Sequence, residues 1–533
     1  RQAIDHHLGY ERYTTPEILA QEDRVLAAVA EPVAVFADSE TVADALRDFE
    51  MSRGFSLNDG QIELARHLVQ TGTLVGCGVG PAGTGKTTAM QVGANAWRST
   101  GRNVIGLAPS AQAAEVLGSE LGIDAQTIDS LTHVWRGRHP SKPGGDVDAL
   151  PIAIGQGDML LVDEAGMATT DNLAALTEIA QQTGAVVRLI GDPHQLDAVG
   201  TGGLFGTMCR YSDAAELTQV MRFSHGNDTE QADASLDIRR GDTDAVDFYD
   251  SRDWLVGGTR DTMLAQAVEH YLADIERGRN SLIVATTNAD VNVINEMIRA
   301  HFIDQGEVDT AREVALSQGD TAGAGDVIIA RKNARLPNPN DRNEPGPRVI
   351  NGQMFRVQKV HTDGSVTAAD TTSGQRLRLP ADYVAANTHL GYAATVFRSQ
   401  GATVDTTHAV VDATTSRSSL YVALTRGKHE NRVYAVTDDF LDEFAEHGHE
   451  HSAGNTPGLT ARDVMARAIS RDSRQRSATD IRTEAEQYAE SRERLAKLYR
   501  YGLDMATGDF IDRQLDGWWD SLDAAAVSFS HLT

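Results

Sequence analysis

The sequence predicts an α/β protein with two parallel sheets and a small β-barrel inserted into the second. From about residue 55 to 215 and again from about 216 to 440, apolar runs alternate with helix-patterned segments, which is typical of doubly wound sheets. Between residues 326 and 380 the pattern changes to short strands separated by turns. The predicted organisation is an N-terminal segment at 1–54, a first α/β domain at 55–215, a second at 216–325 and 381–440, the barrel at 326–380, and a C-terminal helical region at 441–533.

The bulk composition narrows the class of protein. A chain of 533 residues is too long for one hydrophobic core. The formal charge of -28 predicts a soluble acidic protein, but local basic patches can still bind nucleic acid. Cys77 and Cys209 are too few for a disulfide framework, which suits the cytoplasm, and no apolar run is long enough to span a membrane. The chain begins at Arg1 without a methionine or a signal-like region, so we expect a longer native protein.

A glycine-rich loop, GPAGTGKTT, follows the first strand candidate, Leu74–Val79. It fits G-x-x-x-x-G-K-[ST], with the required strand before it and helix after it. Glycine lets consecutive N–H groups turn inward around phosphate oxygens, and the start of the helix adds its positive end. We expect Lys86 to reach the β- and γ-phosphates of a nucleotide and Thr87 to hold Mg²⁺. The predicted nucleotide-binding residues of the loop are Gly80, Gly83, Thr84, Gly85, Lys86, Thr87 and Thr88.

Polar residues also follow two later strand candidates. Met159–Val162 is followed by Asp163 and Glu164, where one carboxylate can hold the metal and its neighbour can orient the attacking water. Val186–Ile190 is followed by Gln195, whose amide can hydrogen-bond the γ-phosphate. The sequence therefore predicts a site for hydrolysis of a nucleoside triphosphate.

Two arginines lie beyond the first α/β domain. Arg222 stands at the transition to the second domain, and Arg426 lies inside it before a strand. A guanidinium that stabilises the transferring phosphoryl group contributes about 10³–10⁵ in rate. The alternative for each is a surface ion pair. If both face the phosphates, hydrolysis depends on closure of the cleft between the domains.

The order of the motifs resembles the motif series of superfamily 1 helicases. The resemblance is closest to the RecD-like branch, and within it to the helicase part of conjugative relaxases of the TraA/TrwC type. It rests on LNDGQIELA, GPAGTGKTT, IGLAPSAQAAEVL, QTIDSLTHVW, LLVDEAGM, IGDPHQLDAVGTGG, LTQVMRF, GYAATVFRSQGATVD and LYVALTRGK. It implies two RecA-like domains with an SH3-like barrel, ATP and Mg²⁺ as cofactors, and 5′-to-3′ movement on single-stranded DNA and duplex junctions.

The resemblance also implies roles for individual residues. Gln61 would read the adenine, Asp163 would be the metal ligand and Glu164 the catalytic base. Gln195, Arg222 and Arg426 would sense and stabilise the γ-phosphate. The chain departs from the pattern at Phe397, where relatives often have histidine.

Candidate DNA contacts come from the same motifs and from local charge. The motif residues are Ser110, Thr132, His133, Thr395 and Arg398. In the insertion at residues 132–157, Trp135 and Arg136 belong to a stretch with an aromatic, several cations and no acid, and aromatic stacking contributes about 1–3 kcal/mol per base. Residues 331–348, at the start of the barrel, are also net basic. The alternative for each stretch is a solvated loop.

A nicking site of the relaxase kind, a tyrosine beside three metal-binding histidines, is not recognisable in the sequence. Tyr10 and Tyr13 are expected to be packing residues, and His447, His449 and His451 to lie in a flexible polar loop. A nuclease domain and the conjugation machinery are expected partners. Two alternatives to the motor stay open: a DNA-binding platform that does not unwind, and an RNA-directed ATPase.

Overall fold

The computed structural model describes residues 14–139, 144–223, 228–337, 345–438 and 459–491, and a few isolated residues after them. Two units are distinguished: Arg24–Gln475, and Arg1–Asp23 together with Arg476–Thr533. The predictions that fall outside the described residues are those for Tyr10, Tyr13, His447, His449 and His451.

The described strands and helices follow one another in the order that the alternation predicts. The strands are β1 (Val75–Val79), β2 (Val104–Ala108), β3 (Asp124–Thr127), β4 (Met159–Val162), β5 (Val186–Gly191), β6 (Ala215–Glu216), β7 (Leu255–Gly258), β8 (Ser281–Ala285), β9 (Asp309–Ala315), β10 (Thr321–Ala324), β11 (Val327–Ala330), β12 (Ala334–Pro337), β13 (Pro345–Val349), β14 (Met354–Val360), β15 (Val366–Asp370), β16 (Arg376–Leu379), β17 (Thr388–Leu390), β18 (Ala393–Thr395), β19 (Val404–Val411) and β20 (Gly427–Val436). The helices are α1 (Pro16–Ala30), α2 (Ser39–Arg53), α3 (Asp59–Gln70), α4 (Lys86–Ser99), α5 (Ala111–Leu121), α6 (Ile128–Trp135), α7 (Thr170–Thr183), α8 (Leu204–Tyr211), α9 (Thr229–Arg240), α10 (Ala245–Ser251), α11 (Arg260–Glu276), α12 (Asn288–Asp304), α13 (Ala381–Asn387), α14 (Arg417–Leu424), α15 (Ala461–Ser470) and α16 (Ala478–Glu490).

The first sheet is six-stranded and parallel, in the order β3-β2-β4-β5-β1-β6. Helices cover both faces, so successive residues of a strand enter opposite cores. In β4, Leu160 and Val162 join one hydrophobic cluster, while Met159 and Leu161 join the other. The uninterrupted apolar run of this strand is therefore explained by burial on both sides. The carboxyl ends of β1, β4 and β5 meet at one edge of the sheet, where the predicted catalytic motifs begin.

The second sheet is five-stranded and parallel, in the order β18-β8-β19-β20-β7. Its core includes Val284, Ala409 and Val433 from three neighbouring strands, packed against residues of α14 and α15. These two parallel sheets with flanking helices confirm the predicted fold class.

The insertion between β8 and β18 is antiparallel. A five-stranded sheet has the order β16-β15-β14-β11-β17, and β9 with β10 and β12 with β13 form two further ladders. The antiparallel strands run from residue 309 to residue 390, beyond the predicted 326–380 on both sides. The SH3-like character of this insertion stays a prediction.

In the smaller unit, α16 begins at a carboxylate from α1. Glu22 is 1% exposed, and its side chain accepts hydrogen bonds from the backbone N–H groups of Ala478 at 2.9 Å and Thr479 at 2.7 Å. A negative charge at a helix N-terminus is stabilising, because it pairs with N–H groups that lack intrahelical partners. Across the described ranges, no helix has the length and apolarity to cross a membrane.

Candidate nucleotide-binding cleft

The glycine-rich loop connects β1 to α4 and is shaped by two positive φ angles. Gly83 has φ +75° and Gly85 has φ +79°, a region that side chains with a Cβ rarely adopt. A Cβ at Gly85 would also collide with Nε2 of Gln61, and one at Gly83 with Cβ of Arg222. The loop thus needs glycine both for its turn and for the close approach of two predicted site residues.

Gln61 holds the loop in place. Its backbone N–H donates to Oδ1 of Asn58 at 2.9 Å, and its Oε1 accepts from the Asn58 N–H at 3.1 Å, so it completes the cap of α3. Its Nε2 donates to the carbonyl of Thr84 at 3.0 Å. Both ends of the amide are therefore used within the protein, and the adenine-reading role stays a prediction. A pocket beside it is lined by Asn58, Asp59, Gly60, Leu217, Thr218 and Gln219.

Lys86 lies beside the loop with its ammonium in an ion pair but without a described hydrogen bond. Its side chain is 12% exposed, and Nζ lies 3.7 Å from Oε2 of Glu164. Within the described part of the chain this buried Nζ has no hydrogen-bond partner. A buried ammonium without an acceptor is costly, so the position fits an anion such as a phosphate. Thr87 and Thr88 follow in the first turn of α4 and are partly exposed.

Asp163 and Glu164, which we call the acid pair, lie at the end of β4. Burial, and then the charge of Glu164, raises the pKa of Asp163 to about 6, while Lys86 acts in the opposite direction. Glu164 has φ 52°, in the left-handed region, and its N–H donates to Oδ1 of Asp163 at 2.9 Å. Such a backbone conformation costs about 1–3 kcal/mol in a non-glycine residue and clusters at functional sites. Nothing in the residue types predicted this strain.

The predicted phosphate sensor lies after β5. Gln195 is 3% exposed, and among the residues described its Oε1 accepts no hydrogen bond. Its backbone N–H donates to the carbonyl of Asp192 at 3.1 Å. Arg239, which the sequence reasoning missed, donates from Nε to Oδ1 of Asp192 at 3.0 Å. This buried ion pair connects the second α/β domain to the loop after β5.

Arg222 lies against the glycine-rich loop in space. Its backbone N–H and that of Met221 donate to the carbonyl of Gly83 at 3.0 and 2.8 Å. Its guanidinium donates to the carbonyl of Thr425 and, at 3.1 Å, to Oγ1 of Thr403. Burial, and then the nearby Arg426, lowers the pKa of Arg222 to about 9. Arg222 therefore joins the loop to the second domain.

Arg426 is held rigidly at the end of α14. It is 3% exposed, donates from Nε to the carbonyl of Val422 at 2.8 Å, and donates from Nη2 to Oγ1 of Thr425 at 2.9 Å. Burial lowers its pKa, and the charge of Glu164 partly restores it. The charge of Glu164 therefore acts on this arginine, while the role of Arg426 at the phosphates stays a prediction.

A third contact between the domains involves Tyr421, which the sequence reasoning did not single out. The tyrosine is 1% exposed, and its hydroxyl accepts a hydrogen bond from the backbone N–H of Ala82 at 2.9 Å. Ala82 lies inside the glycine-rich loop. The second domain is thereby bonded directly to the loop that is predicted to hold the phosphates.

The predicted DNA contacts of the first domain are scattered. Ser110 is exposed and caps α5, accepting from the N–H of Ala113 at 3.1 Å, and His133 is exposed on α6. Thr132 is 2% exposed, and its hydroxyl is bonded to the carbonyl of Ile128 at 3.1 Å and to Oδ1 of Asn172 at 3.0 Å. Ser110 and His133 face solvent, whereas Thr132 lies inside the domain.

Trp135 and Arg136 do not form an open basic patch. Trp135 is 4% exposed and donates from Nε1 to Oε2 of Glu178 at 2.9 Å. Arg136 pairs with the same carboxylate at 2.7 Å and with Asp171 at 3.0 Å. The acids come from α7, which the local composition could not reveal. In this arrangement both residues fasten α6 to α7, and the geometry gives no support to base stacking by Trp135.

The predicted contacts of the second domain include cations that have no ion pair with a described carboxylate. Arg398 and Arg331 are both partly buried, and no described carboxylate lies within ion-pair distance of either. Burial, and then the charge of Arg331, lowers the pKa of Arg398 to about 10. Both arginines also lower the pKa of His389, after burial. Thr395 is partly exposed and precedes them, and the side chain of Phe397 is exposed.

Comparison with known proteins identifies relatives along most of the chain. The family model described as an AAA domain matches residues 56–260. A probable conjugal transfer protein TraA of Sinorhizobium fredii is 30% identical over 390 residues, covering 72% of this chain and 33% of the relative. The TraA of Agrobacterium fabrum is 29% identical over 432 residues, covering 79% and 36%. The ATP-dependent RecD2 DNA helicase of Deinococcus radiodurans is 28% identical over 375 residues, covering 66% and 45%.

These relatives confirm the resemblance that the motifs indicated. The chain spans about a third of the length of the TraA relatives, 33% and 36%. The matched AAA domain begins just before Gln61 and includes the glycine-rich loop, the acid pair and Arg222. Arg426 and the insertion lie beyond it.

Proposed function

We propose that this helicase-like ATPase, a relative of the TraA conjugal transfer proteins, is the motor part of a longer conjugation relaxase. It would act in the cytoplasm, hydrolyse ATP, move 5′ to 3′ along single-stranded DNA and unwind duplex junctions. Its further partners would be a nuclease domain and the conjugation machinery.

The observation that carries the proposal is the convergence of opposite charges on the glycine-rich loop. Lys86 offers a buried ammonium that has no hydrogen-bond acceptor among the described residues, with Asp163 and Glu164 nearby and Oε2 of Glu164 at 3.7 Å. The backbone of Arg222 is bonded to the loop at Gly83, and the charge of Glu164 acts on Arg426. A triphosphate bound here would satisfy the lysine and the loop N–H groups, and would separate the acids from the arginines.

Each residue of the cleft would have a separate role in hydrolysis. Glu164 would accept the proton of the attacking water, and Arg426 would stabilise the charge that develops on the departing phosphoryl group. Gln195, whose buried oxygen accepts no hydrogen bond from any described residue, would orient the water or bond the γ-phosphate. Thr87 and Asp163 offer hard oxygen ligands suited to Mg²⁺, which would neutralise phosphate charge when bound.

Hydrolysis would be coupled to movement because the site needs both domains. Arg222, Arg426 and Tyr421 all connect the loop to the second domain or lie within it. Loss of the γ-phosphate would remove the anion that attracts the two arginines. The cleft could then open and change the grip of the two domains on DNA.

A path for the DNA backbone is favoured along the second domain. Arg331, Arg398 and His389 form a partly buried group whose charges oppose one another. Arg335 and Arg348 stand directly opposite each other on β12 and β13, and both are exposed. Like charges at such a cross-strand position are destabilising, and a bound phosphate would relieve the repulsion. This supports a role for the basic stretch 331–348 in DNA binding.

Strand-displacement assays on 5′-tailed and 3′-tailed duplexes test the proposal. With ATP and Mg²⁺, we expect unwinding of the 5′-tailed substrate and little of the 3′-tailed one. The reverse preference would refute the direction. DNA binding without unwinding on either substrate would show a passive platform, and equal stimulation by RNA would show an RNA-directed ATPase.

Salt titrations test the DNA path. Arg398→Ala and Arg331→Ala should each reduce the slope of log affinity against log salt by about 0.7 if each contacts one phosphate of a single strand. Arg378→Ala is a matched control, because its guanidinium already pairs with Asp363 at 2.8 Å in the inserted sheet. Equal slopes for all three variants and the wild type would refute the path.

A further inference from the structure

The segment after α15, residues 471–475, is bonded to the helix that carries Arg426 at its end. The carbonyl of Arg471 accepts from the N–H of Arg417 at 3.0 Å, and the carboxylate of Asp472 lies 3.4 Å from the Arg417 guanidinium. Arg471 also donates from its guanidinium to the carbonyl of Ala413. Arg417 is the first residue of α14, so this segment, which we call the brace, is anchored to the second domain.

The other end of the brace contacts the loop after β5 in the first domain. The backbone N–H of Gln475 donates to Oδ2 of Asp197 at 2.8 Å, and its Nε2 donates to the carbonyl of Ala198 at 3.0 Å. A Cβ at Gly202 would meet Oε1 of Gln475, so the end of this side chain lies directly against the loop at a glycine. Gln475 is therefore seated in the loop through both its backbone and its side chain.

Arg474 adds a contact at the residue next to the predicted phosphate sensor. Its Nη1 lies 3.1 Å from Nδ1 of His194, and Asp472 holds the guanidinium at 2.9 and 2.6 Å. Burial, and then the charge of Arg239, lowers the pKa of His194 to about 4. The imidazole is thus neutral near pH 7 and can accept a hydrogen bond from the arginine.

These contacts are made to residues on both sides of Gln195 in the loop after β5. The brace bonds residue 194 on one side of it and residues 197 and 198 on the other, while Oε1 of Gln195 stays buried and without a partner in the described structure. The same brace is fixed to α14, which ends just before Arg426. One short segment therefore connects the loop of the sensor amide to the helix of the arginine.

We propose that Arg474 and Gln475 are positioning residues that set Gln195 relative to Arg426 for ATP hydrolysis. They lie outside the matched AAA domain and touch no group that the proposed reaction uses directly. The inference rests on the proposed hydrolysis of ATP. It predicts that these residues affect the chemical step more than nucleotide binding, because none of the hydrogen bonds and ion pairs described for the brace involves the glycine-rich loop or Lys86.

The test compares Arg474→Ala, Gln475→Ala and Arg474→Lys with the wild type. Loss of one or two hydrogen bonds that hold the loop should lower kcat of DNA-stimulated ATP hydrolysis about tenfold. KM for ATP and the affinity for a fluorescent ADP analogue should change less than about twofold. Arg474→Lys keeps a cationic donor and should recover part of the loss. Arg476→Ala is the matched control, since its guanidinium pairs with Glu484 at 2.6 Å, and it should keep wild-type kcat.

The outcomes separate this inference from the proposed function. Wild-type kcat in both alanine variants would refute the brace while leaving the motor intact. A parallel loss of nucleotide affinity and thermal stability, with no recovery in Arg474→Lys, would also refute it, because that pattern indicates a merely structural role. A wild-type chain that binds ATP without hydrolysing it would refute the proposed function itself.

Discussion

The hydrogen bond between Tyr421 and the glycine-rich loop offers a sharp test of how the two domains cooperate. The tyrosine hydroxyl accepts from the N–H of Ala82 at 2.9 Å, and the two residues are 1% and 6% exposed. Tyr421→Phe removes one oxygen atom and leaves the ring in the core. The Ala82 N–H then stays buried without an acceptor whenever the domains are in contact.

The expected magnitude follows from this geometry. A buried donor left unsatisfied costs about 1–3 kcal/mol. The cost applies to the closed arrangement and disappears when the cleft opens, because water can then reach the N–H group. If ATP is hydrolysed only in the closed arrangement, kcat should fall by about 5- to 150-fold.

Steady-state ATP hydrolysis with saturating single-stranded DNA measures the effect, alongside urea denaturation. Tyr249→Phe is the matched control. Tyr249 is 0% exposed in the same core cluster, and its hydroxyl has no hydrogen-bond partner among the described residues. Removing that hydroxyl should leave kcat unchanged and should not reduce stability. If Tyr421→Phe instead hydrolyses ATP at the wild-type rate, the closed arrangement seen here is not the hydrolysing one.

Three further predictions concern single residues. Arg426→Ala should lower kcat for ATP hydrolysis by about 10³-fold or more, while nucleotide affinity in equilibrium binding changes little. An equal loss of kcat and affinity would contradict its proposed role. Arg188 is 0% exposed and donates to five backbone carbonyls, among them that of Leu68 at 2.7 Å. Arg188→Leu should therefore lower the free energy of unfolding, measured by urea denaturation, by at least about 3 kcal/mol. A smaller loss would show that water replaces the guanidinium. Burial raises the pKa of Asp197 from 3.8 to about 6, so its contribution to stability is present below about pH 4 and is lost as pH rises through 6. Asp197→Asn should therefore gain stability relative to the wild type across that interval, and a pH-independent difference would contradict the shift.

Much of the fold could be predicted because its determinants are local. The strand Met159–Val162 appears with the bounds that its apolar run indicated, and Ser281–Ala285 does so in the second domain. Both are central parallel strands. Met159–Val162 is buried along its whole length and Ser281–Ala285 over its last three residues, so apolar side chains dominate each run. The glycine-rich loop was predictable for a similar reason, since its backbone conformation restricts the residues it can contain.

The predictions were weakest where a residue's environment comes from a distant part of the chain. Trp135 and Arg136 looked like a patch without acids, yet Asp171 and Glu178 reach them from α7. Charge counted along a sequence window does not include such partners. The hydrogen bond of the Tyr421 hydroxyl was equally unpredictable, because its partner Ala82 lies 339 residues earlier in the chain.

The strain at Glu164 could not be predicted either. Many strands end in an Asp-Glu pair, and nothing in the residue types requires the second to adopt φ 52°. The conformation is fixed by the surrounding structure, which brings Lys86 and Arg426 near the carboxylate. A single sequence carries no signal for such a combination.

The most direct test of the central claim is the rate of ATP hydrolysis with and without single-stranded DNA, for the wild type and for Glu164→Gln, at low and moderate salt. The proposed motor function predicts strong stimulation of the wild type by DNA, weaker at moderate salt, and no stimulated hydrolysis in the variant although it still binds ATP and DNA. DNA binding by the wild type without stimulated hydrolysis would contradict it.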